Sequence, residues 1–498
     1  MNLYKIIILA LITSFSGSVF ANDTLLEDIN NLFGKIVEFY APFLFFEMPI
    51  IRLPFILFVM VAGGVFFTFR YGFINIKLFK HALDVVRGKY DNPDDEGEIS
   101  HFQALTSALS ATVGLGNIAG VAVAIQLGGP GAVFWLWVVA FFGMSMKFSS
   151  CTFAQLYRDV KPDGSVIGGP MVYLKKGLSE DFNLKKIGAF FGFFYAFMTI
   201  MASFGGGNLF QANQAFELLS NQFPSVGEHP WVVGIVLSIS SGIVLLGGIK
   251  RIGDVTSKLV PLMCAFYCIS CLVIIFSNIS MVPSLILSIF TEAFNPSAIY
   301  TGGFIGVLIQ GVKRASFSNE AGLGSAAIAH AAAKTDEPIR EGVVAMIGPT
   351  IDTHMVCTMT SLAILITGAH LDPSVAGKGA QITANAFATL GSWMPYLLTI
   401  ATIIFAYSTI ISWSYYGEKG VEYICGAKFI PLYRLIYCLV IILGPILKLG
   451  NVIDFSDLML LSMAFPNIFG MILLSGKAKD KLDDYFKRYK NGKMKVYN

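Results

Sequence analysis

The chain is predicted to be an all-α integral membrane protein, an inverted repeat of five plus five transmembrane helices with one additional N-terminal helix, about 11 spans in all. Three observations lead there: the composition, the run of charge-free stretches, and the lopsided placement of lysine and arginine. Apolar residues make up 55% of the 498 and charged residues only 13%, with a mean hydropathy of +0.67. A water-soluble surface could not be covered with so few polar groups, so the chain belongs in a bilayer.

A membrane helix needs about 20 apolar residues. The first charge-free stretch runs from Leu53 to Phe69, between Arg52 and Arg70. The 45 positions from Phe102 to Met146 carry no charge. They hold two spans, helices 1 and 2, divided at the turn signal Leu127-Gly128-Gly129-Pro130-Gly131. Helices 3 to 10 follow at about 187–216, 231–249, 259–278, 302–333, 342–367, 394–416, 432–447 and 452–474.

Residues 1–21 read as a secretory leader: Lys5 precedes an apolar core from Ile6 to Leu11, and Val19-Phe20-Ala21 suits cleavage. An uncleaved short anchor is the other reading. Cleavage would leave the new amino terminus outside. The segments 70–101, 150–186, 249–258, 334–340, 417–434 and 475–498 then lie inside, and they hold 27 of the 35 basic residues. Outer segments hold only Lys35, Arg52, Lys378 and Lys448. That is the positive-inside bias, and it agrees with the leader independently. The expected organisation is a leader (1–21), an extracytoplasmic segment (22–49), the additional helix (50–73), a first five-helix repeat (102–278), a second (302–475) and a basic cytoplasmic tail (476–498).

Five is odd, so the second repeat starts from the opposite face of the membrane, which makes the repeat inverted by counting alone. The leading helix of each repeat is interrupted by glycine and asparagine. Helix 1 carries Thr112-Val113-Gly114-Leu115-Gly116-Asn117, and helix 6 carries Ser316 to Ser325, with Asn319, Gly322 and Gly324. Small residues also serve close helix packing. Matching interruptions in both halves favour unwinding, which frees carbonyls to hold a cation and amides to hold a carboxylate.

Four segments resemble the alanine or glycine:cation symporter family of the amino-acid/polyamine/organocation superfamily: Ala111 to Gly120, Leu127 to Trp137, Phe317 to Ala332 and Ser412 to Lys419. Weaker agreement covers nearly all of 50–475. The resemblance implies a leucine-transporter-like fold and sodium-coupled uptake of a small neutral amino acid, alanine or glycine. The expected location is the bacterial cytoplasmic membrane, among lipid, and the charge census puts the carboxyl terminus in the cytoplasm. Carried over by position, it implies a sodium site from the backbone oxygens of Ser110, Val113 and Ala406 and the hydroxyl of Thr409, hard oxygen ligands for a hard cation. Ile410 stands where the leucine transporter has a second hydroxyl, which leaves the coordination number open. The implied substrate pocket takes Gly114, Leu115, Gly116 and Asn117 from helix 1, Gln211 from helix 3, Phe317, Ser318 and Asn319 from helix 6, and Trp413 from helix 8. Thr409 and Trp413 are four apart, on one helical face. Trp413 could instead anchor at the interface, and Gln211 could make an interhelical hydrogen bond.

Lys313, Arg314 and Glu320 fall mid-span in helix 6, where an unpaired charge costs at least about 2.5–3.5 kcal/mol. They are expected to be paired or to face water, with a gating or structural role. Asp352 and His354 in helix 7 share no helical face and make a poor proton relay. Lys147 is expected to extend towards the inner surface. Cys264, Cys268 and Cys271 have no histidine or carboxylate near them in sequence and read as packing. Charges cluster in short loops without one basic face, so nucleic acid is not an expected partner. No catalytic cluster and no phosphate-binding loop occurs, which argues against an enzyme and an ATP-driven pump. The alternatives are proton coupling on the same scaffold and an ion channel, the latter opposed by the missing filter-like repeat.

Overall fold

The computed structural model describes residues 23–49, 52–294, 303–447 and 449–497. The expected leader lies outside them. Helix follows helix, and a two-residue hairpin pairing Asp159 with Ile167 and Val160 with Val166 is the one sheet among the described residues.

Seven helices are long and apolar enough to cross a bilayer, or eight if the bent pair at helix 1 is one span. The expected 11 is not reached on length and composition. Phe55–Arg70 and helix 4, Pro230–Leu245, have 16 residues each, about 24 Å of helix against a hydrocarbon core of about 30 Å. Helix 6, Gly303–Asn319, is cut before it resumes at Ala326–His330. The turn expected between helices 1 and 2 is present: helix 1 ends at Gly128, Gly129 takes φ +65, and helix 2 runs Gly131–Tyr157.

The packing carries the repeat. Helix 2 packs on helix 7, helix 3 on helix 8, and helix 4 on helix 9. An inverted five-helix repeat exchanges these same pairs, so the pseudo-twofold axis passes between their members. Helices 1 and 6, the two broken ones, lie inside this frame. The apolar side chains left on the perimeter, such as Phe190, Ile239, Leu262 and Phe276, are those a lipid-facing surface requires.

Candidate functional site

Helix 1 starts at a capping box: the Ser100 hydroxyl accepts from the Gln103 amide at 3.2 Å, and Gln103 Oε1 accepts from the Ser100 amide at 3.0 Å. It runs His101–Thr112, breaks at Val113, and resumes as a π-turn and α-helix over Gly116–Gly128, bent by 51°. Side chains take up the amides released by the break. The Gly114 amide donates to Asn117 Oδ1 at 3.0 Å, and the Leu115 amide to Gln211 Oε1 at 3.2 Å. A Cβ at Gly114 would come within 2.5 Å of Thr409 Oγ1 and 3.2 Å of Gln211 Oε1. Only glycine lets helices 3 and 8 approach the break so closely.

Two of the four residues expected at the sodium site meet directly. Thr409 Oγ1 donates to the Ser110 carbonyl at 2.9 Å, and Ser110 Oγ donates to the Ser408 carbonyl at 2.6 Å. Val113 and Ala406 are buried in the same two helices. Ile410 is buried with its carbonyl accepting from Tyr437 at 2.9 Å.

Between the broken helices lies a cavity of ≈ 10 Å³, about the room one water needs. Five of the nine expected substrate residues line it: Gly114, Gly116, Gln211, Phe317 and Trp413. The other four turn elsewhere. Leu115 lends its amide to Gln211, while Asn117 Nδ2 donates to Asp352 Oδ1 at 2.7 Å and Ser318 Oγ to Asp352 Oδ2 at 2.7 Å. Asn319 Nδ2 donates to Thr353 Oγ1 at 3.0 Å. Asp352 thereby ties helices 1 and 6 to helix 7, whereas His354 Nε2 faces the Trp137 carbonyl at 3.1 Å. The two residues point apart, as their lack of a shared face implies.

Gly206, Glu320 and Leu460 also line the cavity. Helical spacing gives no sign of Gly206 or Leu460, because which face of helices 3 and 10 turns inward depends on packing. Trp413 is 2% exposed and lies against Gly207, with no space for a side chain there. Its indole therefore belongs to the interior, away from any interface. Gln211 does make the interhelical bond considered for it, to Leu115, and Gln211 Nε2 donates to the Gly206 carbonyl at 2.9 Å.

The mid-span charges find partners. Lys313 Nζ lies 2.7 Å and Arg314 Nη2 3.3 Å from Asp457 Oδ2 on helix 10. Glu320 accepts from Trp413 Nε1 at 3.1 Å and from the Ser325 hydroxyl. Lys147 does not extend to the inner surface. Helix 2 continues ten residues past it to Tyr157, and it is 3% exposed, its ammonium against Gly348. Further along, Glu341 of helix 7 pairs with both His101 and His330, a cluster that no sequence motif announced.

Comparison with known proteins bears on the family and the fold. The family model described as "Sodium:alanine symporter family" matches residues 42–498. The sodium/alanine symporter AgcS of Methanococcus maripaludis is 46% identical over 425 residues, 85% of this chain and 92% of that one. Among solved structures, MhsT in complex with L-phenylalanine superposes with a TM-score of 0.51 at 14% identity, covering 76% of this chain and 98% of that one. A manganese transporter of Eremococcus coleocola gives 0.51 at 13%, covering 77% and 83%. At such identities these two speak for the fold alone, and that fold is the leucine-transporter-like one.

Proposed function

The chain belongs to the sodium:alanine symporter family, and from that premise we propose that this multi-pass amino-acid symporter couples uptake of a small neutral amino acid, alanine or glycine, to sodium. The observation that carries the substrate size is the cavity between the two broken helices. Phe317, Trp413 and Leu460 bound a space of ≈ 10 Å³, so any substrate must displace them, and the displacement grows with its side chain, which favours a small one. Sodium coupling is supported by the buried pairing of Thr409 with the Ser110 carbonyl beside the break in helix 1. There an ion would gain oxygen ligands from helices 1 and 8 at once. Helix 8 then serves ion and substrate from one face, through Thr409 and Trp413.

Transport proceeds by alternating access, the two repeats moving against each other about the midplane site. The excess of Lys and Arg in the segments assigned inside, including the tail 476–498, supports a cytoplasmic carboxyl terminus in the bacterial inner membrane. The decisive measurement is accumulation of labelled alanine in proteoliposomes. It is expected with sodium higher outside and absent without a sodium gradient. Accumulation driven equally well by a pH gradient in sodium-free buffer would replace sodium by the proton.

A further inference from the structure

Glu320 has no assigned part in binding, yet its side chain stands in the wall of the cavity. It is 3% exposed and occupies the break in helix 6, held at φ +55, a left-handed conformation uncommon for a residue with a side chain. Backbone strain of this kind persists where the surroundings over-determine it, and it clusters at ligand sites. Its two oxygens accept from neutral donors, Trp413 Nε1 and the Ser325 hydroxyl. Among the described residues no cationic side chain reaches ion-pair distance of it, and the buried Lys147 ammonium acts on it only through space. A buried carboxylate in that position costs free energy until a cation faces it.

The opposite wall has the reverse character. Gly116 begins the helix Gly116–Gly128 and also lines the cavity. As a first-turn residue it has no intrahelical acceptor for its amide, which points out at the positive end of the helix dipole. The small space thus has an anion-seeking face and a cation-seeking face.

We propose that Glu320 is the ligand of the substrate's ammonium group, so that the site selects free α-amino acids by opposite charges at its two ends. This rests on reading the cavity as an amino-acid site. Trp413 then has two duties: its ring limits side-chain size, and its Nε1 holds Glu320 towards the space. The substrate brings a cation into direct contact with Glu320, which Lys147 influences only from beyond ion-pair distance, and the carboxylate end of the same molecule reaches the Gly116 amide. Helices 1 and 6 are thereby joined through the bound amino acid.

The test is binding in detergent at saturating sodium, using alanine and propionate, which keeps the carboxylate and lacks the amine. For the parent protein, alanine is expected to bind far more tightly than propionate. Glu320→Gln is expected to weaken alanine roughly ten- to a hundredfold, as for a lost hydrogen bond to a charged group, and to leave propionate almost unchanged. Glu320→Asp keeps the charge but withdraws it by one methylene, and is expected to shift the ratio in the same direction by a smaller factor. It decides the matter if the Gln variant does not fold. An unchanged alanine-to-propionate ratio in a folded variant overturns the assignment of Glu320 alone. A parent that binds neither compound overturns the amino-acid reading of the site, and this assignment with it.

Discussion

Thr409→Val probes the ion site with the least disturbance, because valine keeps the shape and deletes one oxygen. In the structure the Thr409 hydroxyl donates to the Ser110 carbonyl at 2.9 Å, both residues being at most 1% exposed. The bond matters to the fold as well, since the Gly114 amide, which would bond this carbonyl in an unbroken helix, is shared between the Thr112 carbonyl and Asn117 Oδ1 instead. At the proposed sodium site the hydroxyl would turn a lone pair to the ion and the carbonyl would exchange its donor for the same ion. Valine would then remove one ligand and leave the other without its donor until sodium arrives. Loss of such a contact is worth about 1–3 kcal/mol, and each 1.4 kcal/mol is about tenfold in affinity. The half-saturating sodium concentration is therefore expected to rise roughly five- to a hundredfold. Apparent alanine affinity at low sodium falls with it, because coupling between two bound ligands is reciprocal, and it recovers at saturating sodium. The assay is initial uptake in proteoliposomes across a sodium series, with thermal stability measured in and out of sodium. A folding defect lowers uptake at every sodium concentration, whereas an ion-site defect is repaired by more ion. A well-expressed variant with the parent's sodium dependence would remove Thr409 from the site and withdraw the ligand set on helix 8.

Two further expectations concern the walls around that site. Trp413→Ala opens the space limiting the substrate side chain, so leucine should gain as a competitor relative to alanine; unchanged discrimination would leave the indole a packing role only. Asp457→Asn strips the anion shared by Lys313 and Arg314 and is expected to cost about 3–5 kcal/mol, the usual penalty for breaking a buried pair. Adding Lys313→Met should restore part of this. Thermal unfolding of the purified protein measures both, and an undisturbed single variant would show that the pair contributes nothing to stability.

The elements legible in the sequence were those written in charge and glycine. Runs without Asp, Glu, Lys or Arg located the helices, and Gly114 with Gly116 located the break in helix 1, because a chain in lipid can spare its backbone bonds only where something replaces them. The four-residue spacing of Thr409 and Trp413 was likewise readable, and both side chains face the broken helix, donating to Ser110 and Ala111 carbonyls. What depends on contacts distant in sequence was not readable. Lys147 looked like the last residue of a span because the charge-free run ends at Met146, but helix 2 carries on to Tyr157 and leaves it deep inside. Asn117 looked like a pocket residue, yet its amide is taken by Asp352, 235 positions away. The length of a helix beyond its apolar run, and the partner that captures a polar side chain, are decided by tertiary packing.

The remaining question is how a site so enclosed can open to one side at a time. Two buried polar ties fasten the broken helices to the rest of the bundle. On one side Lys313 and Arg314 fasten the first half of helix 6 to Asp457 of helix 10, with Arg314 also 6.0 Å from the Phe317 ring in the cavity wall. On the other, Glu341 of helix 7 holds His101, the first residue of helix 1, and His330, the last of the resumed helix 6. The two ties hold different parts of helix 6, one its first half and the other the end of its resumed half. Separating buried partners costs about 3–5 kcal/mol unless water enters to solvate them. Opening both ties together would pay that cost twice, so alternating access, as proposed, would open one at a time. The break at Val113–Leu115 and the break at Glu320 would let each half-helix move without its other half, and an amino acid bound between them, as proposed, would be the element the two movements share.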